Sequence, residues 1–159
     1  MKIDKSKLPY RKGVIGLVTD SDGKFLVVQM LNYEDNQWRF PGGGVDENES
    51  DETALLRELG EELGSNKFKI IKKSQHINKY DWPDEVIQRQ YKEKGILWRG
   101  QEQTQFLIKF VGKKSDIAPD ANELKNVKWV TVNHLKTHFI FPNQWGLAKL
   151  VIEEFFKEG

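Results

Sequence analysis

Cysteine is absent from the 159 residues, which excludes disulfide bonds, thiolate metal sites and cysteine nucleophiles. Long apolar runs are absent too. No stretch approaches bilayer-spanning length, and the opening MKIDKSKLPYRKG has no apolar segment of the kind that directs secretion. The expectation is a soluble, cytoplasmic protein with no membrane partner. Histidine is scarce: His76, His134 and His138 stand at no metal-ligand spacing from one another and read as structural or surface residues. Repeats, low-complexity tracts and interdomain linkers are also missing, so residues 1–159 read as one domain with residues 1–9 as a flexible polar arm.

What is present suffices for a core. Hydrophobic residues make up 38% of the chain, with nine Phe, five Trp and four Tyr, which argues against disorder. The net charge of +1 hides a division. Residues 43–62 hold eight acidic residues and one arginine, a net of −7, while the remainder holds 24 basic and 16 acidic residues. A concentrated acidic site in a mildly basic body suits metal ions bridging to a polyphosphate, and scattered surface lysines would give the same count.

Apolar runs at 13–18 and 25–30, joined by Asp20-Ser21-Asp22-Gly23, predict a β-hairpin. Residues 38–40 read as a short strand entering a turn of Pro41, Gly42, Gly43 and Gly44. Further strands are expected at 68–71, 103–110 and 127–132, one helical turn at 133–138 and an amphipathic helix at 144–157. Residues 74–100 read as a loop-rich insertion of the sort that forms a substrate wall. The order of elements fits an α/β sandwich around a mixed β-sheet.

The most informative stretch runs from Gly43 to Ser65. Ser50 is a good N-cap, Asp51 and Glu52 put negative charge in the first turn, and Gly64 stands where a left-handed cap is expected. Leu55, Leu59 and Leu63 recur every four residues as a packing stripe, while Glu58, Glu61 and Glu62 share another face. Three carboxylates on one face repel, and hard cations such as magnesium, manganese or calcium relieve that repulsion. A solvated acidic surface is the plainer alternative. Carbonyl oxygens of the glycine turn could join a metal site.

The ordered string of Gly43, five residues, Glu49, seven residues, Arg57-Glu58-Leu59, one residue, Glu61-Glu62, one residue, Gly64 resembles the signature of the Nudix hydrolases. It departs only at Ser65, where an apolar residue is usual. The resemblance implies an α/β/α sandwich and an enzyme that hydrolyses a nucleoside diphosphate linked to another group. It assigns Glu58, Glu61 and Glu62 as catalytic metal ligands for more than one Mg2+ or Mn2+ ion, with the Gly42 carbonyl as a further ligand. Glu49 and Arg57 would brace the helix, and Gly43 and Gly64 would support the site. Glu123, just before Trp129, stands where relatives place another ligand or base, and the choice of general base between Glu58 and Glu123 stays open.

Tyr10-Arg11, the run from Trp38 to Gly43, Gly100 to Gln103 and Glu123 before Lys128-Trp129 are similar to bacterial RNA pyrophosphohydrolases and dinucleoside polyphosphate hydrolases. The substrate implied is an RNA 5′ end or a nucleotide polyphosphate, with Arg11, Arg39, Tyr80 and Phe141 as candidate contacts. Arg39 replaces a usual glutamine, and Gly42 replaces a usual glutamine or lysine; both bear on substrate preference. A housecleaning pyrophosphatase for nucleoside triphosphates or nucleotide sugars and a non-catalytic nucleotide sensor are the alternatives. No stable protein partner is expected, and the sequence leaves the oligomeric state open.

Overall fold

A computed structural model describes residues 4–157. Residues 1–3 of the expected arm and residues 158–159 of the expected domain lie outside the described residues. Within the arm, Lys5–Lys7 form a 3-10 turn whose N-cap, Asp4, accepts from the Ser6 amide.

Seven strands form one mixed sheet: β1 (Tyr10–Thr19), β2 (Phe25–Met30), β3 (Gly42–Gly44), β4 (Phe68–Lys73), β5 (Asn78–Asp81), β6 (Gly100–Phe110) and β7 (Leu124–Val130). The order across the main path is β4-β6-β1-β2-β7, with β3 paired to β1 and β5 to β6. Only β1 and β6 run parallel among the pairs, in register from Tyr10 opposite Gly100 to Thr19 opposite Lys109. Besides pairing with each other, each of these long central strands serves two further partners along its length. One half of β1 meets β3 at residues 13–15, and its far end meets β2 at Thr19.

Side chains alternate between the two faces of the sheet, and each face finds its own helices. On one face Val14, Val18, Phe106 and Ile108 pack with Leu55, Leu59 and Leu63 of α1 (Asp51–Leu63). On the other, Leu17, Val27 and Leu107 pack with Leu135 of α3 (Val132–His138) and with Ala148, Val151 and Phe155 of α4 (Gln144–Phe155). The result is the expected sandwich with helices on both faces. Strand β2 is covered on both sides, which explains its unbroken apolar run from Phe25 to Val28.

Helix α1 begins and ends where its sequence signals place it. The Ser50 hydroxyl accepts from the Thr53 amide at 3.1 Å, and Gly64 takes the left-handed cap at φ 67°. The three leucines of the stripe are fully buried, each contributing roughly 1.5–3 kcal/mol of apolar transfer.

Four expectations need correction. The insertion at 74–100 contains β5 and a helix, α2 (Asp84–Lys94), closed by Gly95 at φ 75°. Its only fully buried residue is Ile87, so no apolar stripe announced it, although Asp84 and Glu85 at its start and Lys92 and Lys94 at its end complement the helix dipole. Residues 38–40 form a single bridge, Arg39 to Val28, and the strand proper is Gly42–Gly44. Strand β7 starts three residues earlier than the expected 127–132 and stops at Val130, because Thr131 is already the extended N-cap of α3. Helix α4 ends at Phe155 rather than 157.

Because Leu59 anchors α1 at the centre of its face, Leu59→Ala is expected to cost about 2–5 kcal/mol of stability, read as a lower urea midpoint at unchanged slope.

Candidate active site

The acidic face of α1 lies against the glycine run of β3. None of Gly42, Gly43 and Gly44 has positive φ, so close approach, not backbone conformation, demands glycine here. A Cβ on Gly43 would collide with the Glu58 carboxylate, one on Gly44 with the Arg11 guanidinium, and one on Gly42 with the Val14 carbonyl. The glycines let a carboxylate and a guanidinium rest directly on the main chain.

Arg57 organises the approach. Its Nε and Nη2 donate to the two Glu49 carboxylate oxygens at 2.8 and 2.9 Å, Nη2 also donates to the Gly44 carbonyl at 3.0 Å, and Nη1 donates to Glu58 Oε1 at 3.0 Å. This bidentate pair ties the loop before α1 to the helix and aims Glu58 at the glycines. Hydrogen bonding from Arg57 holds the Glu49 carboxyl down at about 2. Glu61 is half-exposed and only grazes Arg57 Nη1 at 3.4 and 3.5 Å.

Glu62 lies deepest, 3% exposed. Its Oε1 accepts from Arg39 Nη2 at 3.3 Å, its Oε2 has no partner among the described residues, and Arg39 Nε is likewise buried without one. Arg39 Nη2 also reaches the Gly42 carbonyl at 3.4 Å. Burial pushes the Glu62 carboxyl up to about 7 against the pull of Arg39, with Glu58 and Glu123 adding upward repulsion. Glu58 is raised as well, by burial first and by Glu61 and Glu123 after it, with Arg57 opposing. Glu123 is exposed, yet its charge reaches both. The segment before it is fixed to the end of α1, where the Ala118 and Asp120 amides donate to the Leu63 and Glu62 carbonyls at 2.7 and 2.9 Å.

A cavity of about 710 Å3 opens on the opposite face of the sheet, lined in part by Arg39, Tyr33, Tyr80, Phe141, Gln101 and Gln103. Arg39 therefore belongs both to the cavity and to the carboxylate cluster. The Tyr33 and Phe141 rings meet at 5.4 Å between centroids, and Tyr80 donates its hydroxyl to Gln101 Oε1 at 2.7 Å. Tyr80 and Phe141 thus share one cavity, as separate elements of the same wall system. Arg11 does not line it; its guanidinium lies over the Trp98 ring at 5.6 Å, in the crook of Gly44.

Cavity residues not expected as substrate contacts include Tyr33, Asn78 and a ladder of Gln101, Gln103 and Gln105 on β6, of which Gln101 and Gln103 entered only through the Gly100–Gln103 resemblance. The ladder is buried and bonded internally: Gln103 Nε2 donates to Gln101 Oε1 at 3.0 Å and Asn78 Nδ2 to Gln103 Oε1 at 2.9 Å. Its signal was visible as glutamine at every second position of a strand, a polar row on a face that elsewhere is apolar.

Among the described residues no three His, Asp or Glu side chains are already gathered as a ligand set; arginines hold the glutamates instead. The donors nevertheless fit a hard divalent ion. An unpartnered buried carboxylate oxygen, a neighbouring main-chain carbonyl and two carboxylates raised by burial first and by neighbouring acids after it are the oxygen-rich, charge-deficient surroundings such an ion relieves.

The Nudix domain model matches residues 9–151. The chain belongs to the Nudix family. It is 37% identical over 157 residues to the RNA pyrophosphohydrolase of Sphingopyxis alaskensis, covering 96% of this chain and 97% of that protein. It is 33% identical over 154 residues to the RNA pyrophosphohydrolase of Rickettsia canadensis, covering 93% and 91%. Among solved structures, the E. coli dihydroneopterin triphosphate pyrophosphohydrolase superposes with a TM-score of 0.68 at 16% identity, covering 91% of this chain and 99% of that one. A C. elegans Ap4A hydrolase complex gives 0.64 at 17% identity, covering 90% and 96%. These structural likenesses establish the Nudix fold.

The raised Glu62 carboxyl has a pH signature. Its folded value near 7 lies above the ordinary 4.5, so the folded state binds the extra proton and the associated stability is lost as pH rises from about 4.5 through 7. In chelator-treated protein this loss should be on the order of 3 kcal/mol, and Glu62→Gln should abolish it. Parallel stability curves for the two proteins from pH 4.5 to 8 would count against the buried, half-paired carboxylate.

Proposed function

We propose that this Nudix enzyme hydrolyses a phosphoanhydride bond at triphosphorylated RNA 5′ ends, releasing pyrophosphate, with dinucleoside polyphosphates as the neighbouring substrate class. The observation that carries the reading is Arg39, which lines an aromatic and amide-rich cavity while touching the most buried carboxylate of the helix. Nearly full-length relatives at 33–37% identity that are RNA pyrophosphohydrolases support the choice of substrate.

Glu58, Glu61, Glu62, Glu123 and the Gly42 carbonyl would hold Mg2+ or Mn2+. Such ions, when bound, neutralise phosphate oxygens and make a coordinated water acidic enough to attack phosphorus. The protein's own work is positioning. Arg57 fixes Glu58 through Oε1, leaving its carboxylate on the Gly43 main chain. The proton of the attacking water would go to Glu58 or Glu123.

In the cavity, Tyr80, Tyr33 and Phe141 offer aromatic faces to a base, and the Gln101–Gln103–Asn78 chain offers fixed amides to its polar edges. Arg11 would take a terminal phosphate, since a guanidinium bonds two phosphate oxygens at once.

Turnover should fall more than roughly a hundredfold in Glu62→Gln, beyond the usual cost of losing an outer-shell partner, with the circular dichroism spectrum retained. A side-by-side assay of triphosphorylated RNA, diadenosine tetraphosphate and free nucleoside triphosphates should give the highest kcat/KM on the RNA, with pyrophosphate released. Highest efficiency on free nucleotides would point to a housecleaning pyrophosphatase, and metal-independent turnover would overturn the assignment of the glutamates.

A further inference from the structure

Two arginines contact the carboxylates of α1, and they do so differently. Arg57 is fully engaged, with a bidentate pair to Glu49 at 2.8 and 2.9 Å and further bonds at 3.0 Å. Arg39 is loosely engaged. It offers one nitrogen, Nη2, to Glu62 Oε1 at 3.3 Å and to the Gly42 carbonyl at 3.4 Å, where a charge-assisted bond is ordinarily about 2.7–2.9 Å. Arg39 Nε and Glu62 Oε2 are both buried without partners among the described residues. A half-satisfied buried pair is a poor structural bridge, because both ions are desolvated without full return.

The two oxygens that Arg39 touches are the Gly42 carbonyl and the innermost carboxylate, the pair best suited to a hard cation. The backbone at Arg39 is fixed, bonded to Val28 through both its amide and carbonyl at 3.0 and 2.8 Å. Only the side chain is free to move. It has somewhere to go, since Arg39 already forms part of the cavity wall with Tyr33, Tyr80 and Phe141.

We propose that Arg39 is a tethered cation that bonds the Gly42 carbonyl and Glu62 in the metal-free protein, yields those oxygens when a divalent ion is present, and then turns its guanidinium into the cavity to bind the polyphosphate. The inference rests on reading the helix glutamates as a metal site, and deepens that reading by coupling metal binding to substrate binding through one side chain. Guanidinium and ion compete for the same oxygens, so removing the guanidinium strengthens metal binding. The freed guanidinium serves the substrate, so removing it weakens nucleotide binding. The two effects have opposite signs, which a merely structural arginine would not produce.

The test measures Mn2+ affinity without nucleotide, from the electron paramagnetic resonance signal of free Mn2+, in the wild type, Arg39→Gln and Arg39→Lys. Arg39→Gln should bind Mn2+ about tenfold more tightly, and Arg39→Lys, which keeps the charge, should stay within about twofold of the wild type. Calorimetric titration with the α,β-methylene analogue of ATP at saturating Mn2+ should then show Arg39→Gln binding about fivefold or more weakly. Should the glutamine variant fail to fold, Arg39→Met carries the same comparison. Unchanged or weaker Mn2+ affinity in the neutral variant overturns the exchange, and unchanged analogue affinity overturns the turn into the cavity. A wild type with no saturable Mn2+ binding overturns the metal reading itself, whereas normal wild-type binding with an indifferent Arg39 sinks only this inference.

Discussion

A carboxylate that is 3% exposed needs a positive partner, and at Glu62 that need is half met. One oxygen leans on a distant guanidinium nitrogen and the other has no hydrogen-bond partner among the described residues. Most acids on helix surfaces avoid this situation by facing water. Glu62 cannot, because the leucine stripe beside it fixes the rotation of α1 against the sheet and turns this position inward toward β3. The burial that stabilises the helix is thus the same burial that raises its inner acid.

The rest of the site follows from where that helix is held. Arg57 and Glu49 clamp its N-terminal loop to the body of the helix, and the glycines of β3 remove every side chain that would separate the carboxylates from the main chain. At the other end, amides of residues 118 and 120 tie the loop carrying Glu123 to the last turn. Two segments distant in sequence, residues 42–63 and the loop carrying Glu123, bring like charges within range of one another, and the net of −7 between residues 43 and 62 becomes a local field rather than a composition. The cavity on the other side of the sheet reaches that field through Arg39.

Helix α1 was legible because its signals are local: the Ser50 cap, the leucine spacing and Gly64 all act within a few residues of one another. The two-faced sheet was legible from alternation and from the buried run of β2. Helix α2 was not, since Ile87 is its only fully buried residue and its ends alone marked it. Strand β5 was hidden for a related reason; it is held by main-chain pairing to β6 and shows no alternation of burial. At the site, the residue types around the glutamates and the Glu49–Arg57 brace were readable, whereas the partner of Glu62 was not. That Arg39 would reach Glu62, and that Arg11 would settle over Trp98 outside the cavity, depends on the depth of a strand edge that no spacing encodes. The glutamine ladder lies between these cases: its period was in the sequence, and its burial emerged only when β6 was placed beside β5.

Diffraction at the manganese edge from crystals grown with Mn2+ tests the central point most directly. An anomalous peak within about 2.5 Å of both Glu62 and the Gly42 carbonyl is the expected result, because that is where oxygen donors outnumber positive charge. Manganese bound only elsewhere, with Glu62 still facing Arg39 alone, would contradict it.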